Sequence, residues 1–315
     1  MMHLVLPGTD LAVSRVCYGT ADFGTGVRGP AVAELLNAFR DGGGNFVDTA
    51  HCYGFWMPGG EGASERAVGE CMRRNGKGDL VVATKGCHPS IGAYEHGDEW
   101  LTPQRIAADL DDSLERLGLD AVDLYWLHRD DTSKSVGEVI EALNAEVRRG
   151  RVRCLGASNW TWRRIEEANA YAAAHGLRGF AASQVEWSLA HKETPPREPR
   201  GTQTVYAGSD DVAFHARTQL PLVAYTATAR GYFAPGTQKR ADFDNPVSRA
   251  RLTRATALAS ELRVTANQVA LAWLMNQPFR VVPITGTHSV AHLREALAAA
   301  DVALTPEQVR WLRDG

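Results

Sequence analysis

Apolar residues along this chain fall into two alternating rhythms. Short, continuous runs rich in Val, Leu, Ile and Ala occur at Val16–Thr20, Asn45–Asp48, Leu80–Thr84, Val122–Leu127, Val152–Gly156, Phe180–Gln184, Leu222–Tyr225 and Arg280–Pro283. Runs of that kind read as parallel strands covered on both faces. Between them come helical stretches: Pro30–Arg40, Ala63–Arg74, Thr102–Leu117, Ser135–Arg149, Trp160–His175, Asp210–Thr218, Thr265–Asn276 and Ser289–Ala299. The stretch Thr102–Leu117 opens with Thr-Pro and carries Ile106, Leu110, Leu114 and Leu117 on one face. Pro30–Arg40 has proline in its first turn and glycines past its end. Eight strand-then-helix units with no break in composition predict an α/β fold, a single (β/α)8 TIM barrel over residues 1–315. An N-terminal β-hairpin near His3–Leu6 and Leu11–Val13 should precede it, and an extra C-terminal helix, Thr305–Arg313, should follow. The Pro-rich stretch His191–Ser209 reads as a long loop.

One motif points elsewhere. Gly24, Gly26 and Gly29 match G-x-G-x-x-G between a strand and a helix, with Asp48 further on, which on paper is a dinucleotide fingerprint. The local fit is poor. Ala21, Asp22 and Phe23 intervene before the first glycine, and Pro30 starts the helix after the third. Eight units also exceed two mononucleotide halves. The motif is read as a flexible first strand-to-helix loop.

Composition adds exclusions. With 44% hydrophobic and 23% charged residues the chain is of ordinary globular make-up. A net charge of −3 without a basic stripe argues against nucleic acid or a membrane surface as partner. No apolar run approaches membrane-spanning length, and no signal-peptide pattern opens the chain. Cys17, Cys52, Cys71, Cys87 and Cys154 form no C-x-x-C, so neither a disulfide framework nor a metal site is expected, and a cytoplasmic setting fits.

In such barrels reactive groups gather at the C-terminal strand ends. Here the second strand ends in Asp48, followed shortly by Tyr53; the third ends in Lys85, and His128 follows the fourth. Each has a bland use alone: a turn cap, a surface lysine, a packed histidine. Together they form a proton-transfer unit. Free tyrosine, with a pKa near 10, is a poor acid at neutral pH, and a neighbouring ammonium should lower that value. A partly buried lysine needs a carboxylate to stay charged, which pairs Lys85 with Tyr53 and Asp48 with Lys85. Tyr53 would then protonate an alkoxide while His128 donates a hydrogen bond to the carbonyl. No side chain supplies a hydride, so a nicotinamide must.

The segments NFVDTAHCYG, VATKG, DLYWLHRD, LGASNW, ASQVEWSL, VAYTATARG and VPITGTHSVAHLREAL, in that order and spacing, resemble the aldo-keto reductase superfamily over essentially the whole chain. The resemblance implies an NAD(P)(H)-dependent oxidoreductase that interconverts aldehyde, ketone or sugar-type carbonyls and alcohols. Its catalytic residues would be Asp48, Tyr53, Lys85 and His128. It places Thr20, Asp48, Ser158, Asn159 and Gln184 around the cofactor, with Trp187 replacing the frequent tyrosine on the nicotinamide. Tyr225, Thr226, Thr228 and Arg230 match the pyrophosphate loop, and Gly286, His288, His292 and Glu295 the adenosine end. NADPH is expected on the family's account. NADH stays open, because His288 and His292 stand where a cation often holds the 2′-phosphate, and neutral imidazole offers it little charge.

For the small-molecule carbonyl or alcohol substrate, Phe23, Trp56, Trp100 and Trp160 lie in mouth loops with Tyr94, as an aromatic wall. Two other readings share these residues: a Schiff-base aldolase built on Lys85, and a cofactor-sensing regulatory subunit. The oligomeric state is left open.

Overall fold

The structure, a computed structural model, describes residues 3–192, 204–236 and 241–315. Most of the expected loop His191–Ser209 therefore lies outside the described residues. An antiparallel hairpin, β1 (His3–Val5) and β2 (Ala12–Ser14), precedes a closed barrel of eight parallel strands. These are β3 (Cys17–Gly19), β4 (Phe46–Asp48), β5 (Val81–Gly86), β6 (Val122–Leu127), β7 (Val152–Ser158), β8 (Ala182–Glu186), β9 (Leu222–Tyr225) and β10 (Val281–Thr285). They follow one another around the barrel in chain order, and β10 closes it against β3.

Helices alternate with the strands: α1 (Pro30–Asp41), α2 (Ala63–Asn75), α3 (Pro103–Leu117), α4 (Val136–Arg148), α5 (Trp162–Ala174) and α6 (Ser209–Thr218). After β9 come two, α7 (Pro246–Leu262) and α8 (Ala266–Met275), then α9 (Val290–Ala298) and α10 (Pro306–Asp314). Helix α7 has no counterpart among the helices that the apolar pattern predicts. Its apolar residues do not gather into one stripe, and Val247 stays exposed. Its start was nonetheless legible: Asn245 accepts a hydrogen bond from the Ser248 amide at 3.0 Å, with Pro246 in the first turn. Arg251 and Arg254 then donate to carbonyls of Leu312 and Arg313, tying α10 to α7. Among the described residues no helix is long and apolar enough to cross a membrane.

Strand alternation decides which side chains enter the barrel. Cys17, Phe46, Val81, Ala83, Leu124, Trp126, Cys154, Ala182, Val223 and Val282 pack together inside it. Leu6, Leu11 and Val13 of the hairpin close its lower end in the same cluster. Gly156 makes room there: a Cβ would lie 2.1 Å from the Trp126 ring. Two residues further along the strands, or four on β7, the same inward parity reaches Asp48, Lys85, His128, Ser158, Gln184 and Tyr225. The opposite parity faces the helices, where Tyr18, Val47, Val82, Tyr125, Leu155, Val185 and Leu222 join the larger apolar layer. Each face of a strand thus belongs to a different core, and the mouth is the polar continuation of the inner one.

The glycine-rich first loop is a set of turns. Gly24 and Gly29 take left-handed backbone, and α1 begins only at Pro30.

Candidate active site

Register brings the strand ends level: Gly19 opposes Asp48, Asp48 opposes Ala83, Lys85 opposes Trp126, and Ser158 opposes Gln184. At that level Lys85 Nζ donates to Asp48 Oδ2 at 2.5 Å, to the Thr49 carbonyl at 2.7 Å and to the Tyr53 hydroxyl at 3.1 Å. Asp48 Oδ1 accepts from Gln184 Nε2 at 3.1 Å, so both carboxylate oxygens are bonded. The ammonium also sits 4.7 Å from the centre of the Tyr53 ring. The His128 ring stands edge-on to Tyr53, centroids 5.9 Å apart. The four residues expected to form one unit do meet.

Their electrostatics follow from this geometry. Burial disfavours the Lys85 ammonium, but Asp48 and Tyr53 outweigh it and hold its pKa above the ordinary value. For Tyr53 the balance runs opposite to expectation. Burial raises its pKa, and the lowering by Lys85 only partly offsets that. The phenol is therefore held protonated, and the lysine limits the rise. His128 is pushed far below its usual range by burial, then by His88 and Arg129. Its Nδ1 lies 3.6 Å from Cys52 Sγ, and burial raises that thiol to about 12, so it stays neutral.

Several residues named from the sequence stand elsewhere. Trp187 does not face the mouth. It has the outward parity of Val185 and packs edge-on to Trp273, 5.1 Å between centroids, and flat against Phe279. Tyr225 is the aromatic residue with inward parity, and its hydroxyl donates to Asn159 Oδ1 at 2.7 Å. Thr20 is fully buried, bonded to Ser64 and the Asp48 carbonyl. Phe23 is buried edge-on to Tyr18, and Trp160 is buried against Phe180; neither lines a pocket wall. Tyr94 is likewise buried, bonded to His51. Trp100 is partly buried and packs against the helix-side core. Trp56 alone of that group stays exposed beside Tyr53, 6.5 Å between rings.

Asn159, in left-handed backbone, donates to Ser158 Oγ and the His128 carbonyl and accepts from the Val205 amide. Past β9, Thr226, Ala229 and Arg230 all take positive φ. Such conformations are costly for non-glycine residues, and αR–αL alternation aims backbone amides into an anion-binding concavity. Thr228 lies within this loop, and Arg230 is exposed on it. That strain fits a pyrophosphate. Beyond β10, a Cβ on Gly286 would stand in ordinary contact with the Gly19 carbonyl, 3.5 Å away. His288 Nε2 bonds Asp22 Oδ2 of the first loop at 2.9 Å, and His292 is exposed. Glu295 turns to α8, accepting from the Thr265 hydroxyl at 2.5 Å.

Three further groups stand beside the four: Cys52, His88 and Arg129. The His88 ring lies 4.7 Å from that of His128, and burial, then Arg129, push its pKa down to about 4. Arg129 stood next to His128 within DLYWLHRD, the one available signal.

A family model described as "Aldo/keto reductase family" matches residues 15–314. The chain is similar to an uncharacterized oxidoreductase, YrpG, of Bacillus subtilis, 29% identical over all of this chain and 95% of that protein. It is also similar to a probable voltage-gated potassium channel subunit beta of Oryza sativa subsp. japonica, 30% identical over 98% of this chain and 94% of that one. Among solved structures it resembles a thermostable aldo-keto reductase, Tm1743, crystallised with the inhibitor epalrestat. That match has a TM-score of 0.74 and 24% identity, covers 99% of each chain, and speaks for the fold.

Proposed function

This chain belongs to the aldo/keto reductase family of oxidoreductases, and from that premise we propose that it reduces carbonyl compounds with NAD(P)H, Tyr53 being the proton donor. The observation that carries this is the three-way bonding of Lys85 Nζ to Asp48, Thr49 and Tyr53. Bound nicotinamide supplies the hydride. The chain's own residues do the rest. Tyr53, kept protonated by burial, donates its hydroxyl proton to the carbonyl oxygen as negative charge develops there. Lys85 stabilises the phenolate left behind, and Asp48 holds the ammonium in place. His128 is neutral; the Cys52 thiol against Nδ1 leaves Nε2–H to hydrogen-bond the carbonyl. Ser158 and Gln184 would hold the carboxamide end, and Tyr225 would stack on the nicotinamide, the role expected of Trp187. The strained loop Thr226–Arg230 would hold the pyrophosphate.

The adenosine end supports no firm preference for NADPH. His288 already bonds a carboxylate, Asp22, which would repel a 2′-phosphate nearby. NADH use is accordingly part of the proposal, and separate assays with the two cofactors decide it.

A Schiff-base aldolase is disfavoured. It needs a neutral lysine, whereas Asp48 keeps Lys85 charged and its amine is already bonded to three oxygens. The regulatory-subunit reading draws support from the similarity to the rice protein named as a channel subunit. Turnover separates the two. A reductase oxidises NADPH or NADH in the presence of aldehydes at rates lost in Tyr53→Phe; a pure sensor binds cofactor and turns over none of a broad carbonyl panel.

A further inference from the structure

Arg129 is a charged group of the mouth that has no counterion among the described residues. Its Nη1 donates to the His128 carbonyl at 2.7 Å, an oxygen also reached by Asn159 Nδ2 at 3.3 Å. Its Nε is buried and has no hydrogen-bond partner among the described residues. Nη2 makes no hydrogen bond to them either. The nearest carboxylates in sequence are engaged: Asp130 holds Arg164 at 3.1 and 3.2 Å, and Asp131 holds Ser133. What the guanidinium does face is neutral. Burial lowers its pKa, and Tyr225, Cys52 and Tyr53 are the groups that sense its charge, together with His88 and His128. A desolvated cation with no anion is costly, and one side of its planar fork is unused.

We propose that Arg129 is a substrate-specificity residue that binds a carboxylate carried by the carbonyl substrate, so that the preferred substrates are oxo acids. The inference rests on the reductase reading above, because Tyr53 and His128 fix where the carbonyl lies. The anion then sits beside the reacting group, on the side of Arg129. A guanidinium fork suits a planar carboxylate in a two-point contact, which a neutral ester cannot reproduce. The same site explains why His128 and His88 tolerate a cation against them. Both are neutral, and the ligand's charge, not theirs, balances the arginine.

The test is steady-state kinetics on ω-oxo carboxylates of two to six carbons, each paired with its methyl ester, for the native enzyme, Arg129→Gln and Arg129→Lys. The expected result is a kcat/KM preference for at least one acid over its ester of about ten- to a hundredfold, the range of a charge-assisted bond. That preference should lie mainly in KM, collapse towards one in Arg129→Gln, and be partly restored in Arg129→Lys. Cofactor affinity, read by quenching of protein fluorescence, should be the same in all three. Esters matching or exceeding acids in the native enzyme overturn the proposal. So does an acid-to-ester ratio unchanged by Arg129→Gln, and so does weakened cofactor binding, which would give the guanidinium to the cofactor. Titration calorimetry of glutarate against its dimethyl ester on the cofactor-loaded enzyme keeps the two readings apart. If no carbonyl compound is turned over, the reductase reading fails. Glutarate binding that depends on Arg129 then still supports the anion site, and its absence removes it.

Discussion

Two cations, Lys85 buried and Arg129 half-buried, stand within one barrel mouth and are treated in opposite ways. Lys85, at the end of β5, has a carboxylate, a carbonyl and a phenol bonded to one nitrogen. Arg129, just past the end of β6, has among the described residues a single backbone carbonyl and an orphaned Nε. The difference separates a floor from a wall. The floor is complete within the chain: its charges cancel and its geometry does not wait for a ligand, as proton transfer requires. The wall is incomplete, and it is there that ligand chemistry should be chosen.

The contrast is sharpest if the floor is emptied. Lys85→Met alone strands a buried carboxylate, a change that costs about 3–5 kcal/mol of stability, so the cleaner variant is Asp48→Asn with Lys85→Met. The double variant should fold, bind cofactor and lose turnover by on the order of a thousandfold, read by single-turnover reduction. A loss below tenfold would make the floor no more than packing.

Trp187 tests the boundary between mouth and helix-side core. Trp187→Ala should cost about 3–5 kcal/mol in a urea titration, as expected for a buried tryptophan, with cofactor affinity nearly unchanged. A large rise in cofactor Kd with little loss of stability would return it to the nicotinamide.

The neutral histidines give a smaller, pH-dependent effect. His88 and His215 are held near 4, and His128 well below its usual value. The unfolded chain, titrating near 6.5, therefore binds more protons than the folded one below that pH. Stability should be complete above about pH 6.5 and fall as pH drops towards 4, by up to ~1.4 kcal/mol per pH unit for each histidine. Denaturation midpoints measured between pH 7 and 4.5 check it, and a flat profile contradicts the neutral assignment. The smallest effect is at the adenosine end. Both residues of the His288–Asp22 pair are about half exposed, so His288→Arg or Asp22→Asn should raise the NADPH-to-NADH ratio of kcat/KM by roughly tenfold or less.

The barrel was legible because its strands are buried on both faces and its helices, α7 apart, carry clear apolar stripes or apolar runs between caps. The floor was legible for a related reason: Asp48, Lys85 and His128 close apolar runs at the same level. What failed was side-chain direction at positions just past a strand or in a loop. Trp187 lies one residue beyond β8, and its parity with Val185 sends it outward. Trp160 follows Asn159, whose left-handed backbone breaks the alternation and turns the indole into the core. Phe23 sits in a glycine-rich loop with no periodicity to orient it. The pKa of Tyr53 was misjudged because burial, which a sequence does not display, outweighs the neighbouring ammonium. Arg129 was visible in its motif, but that it meets no carboxylate among the described residues depends on the fold.

The central claim is that Tyr53, on the paired floor, donates the proton. Single-turnover reduction of an aldehyde by the cofactor-loaded enzyme, native against Tyr53→Phe, addresses it most directly, with cofactor Kd measured on the same samples. The account predicts a loss of about 10²–10⁴-fold in the hydride-transfer rate, unchanged cofactor affinity, and a native rate that stays level through neutral pH because burial keeps the phenol protonated. A Tyr53→Phe enzyme within a few-fold of the native rate would contradict it.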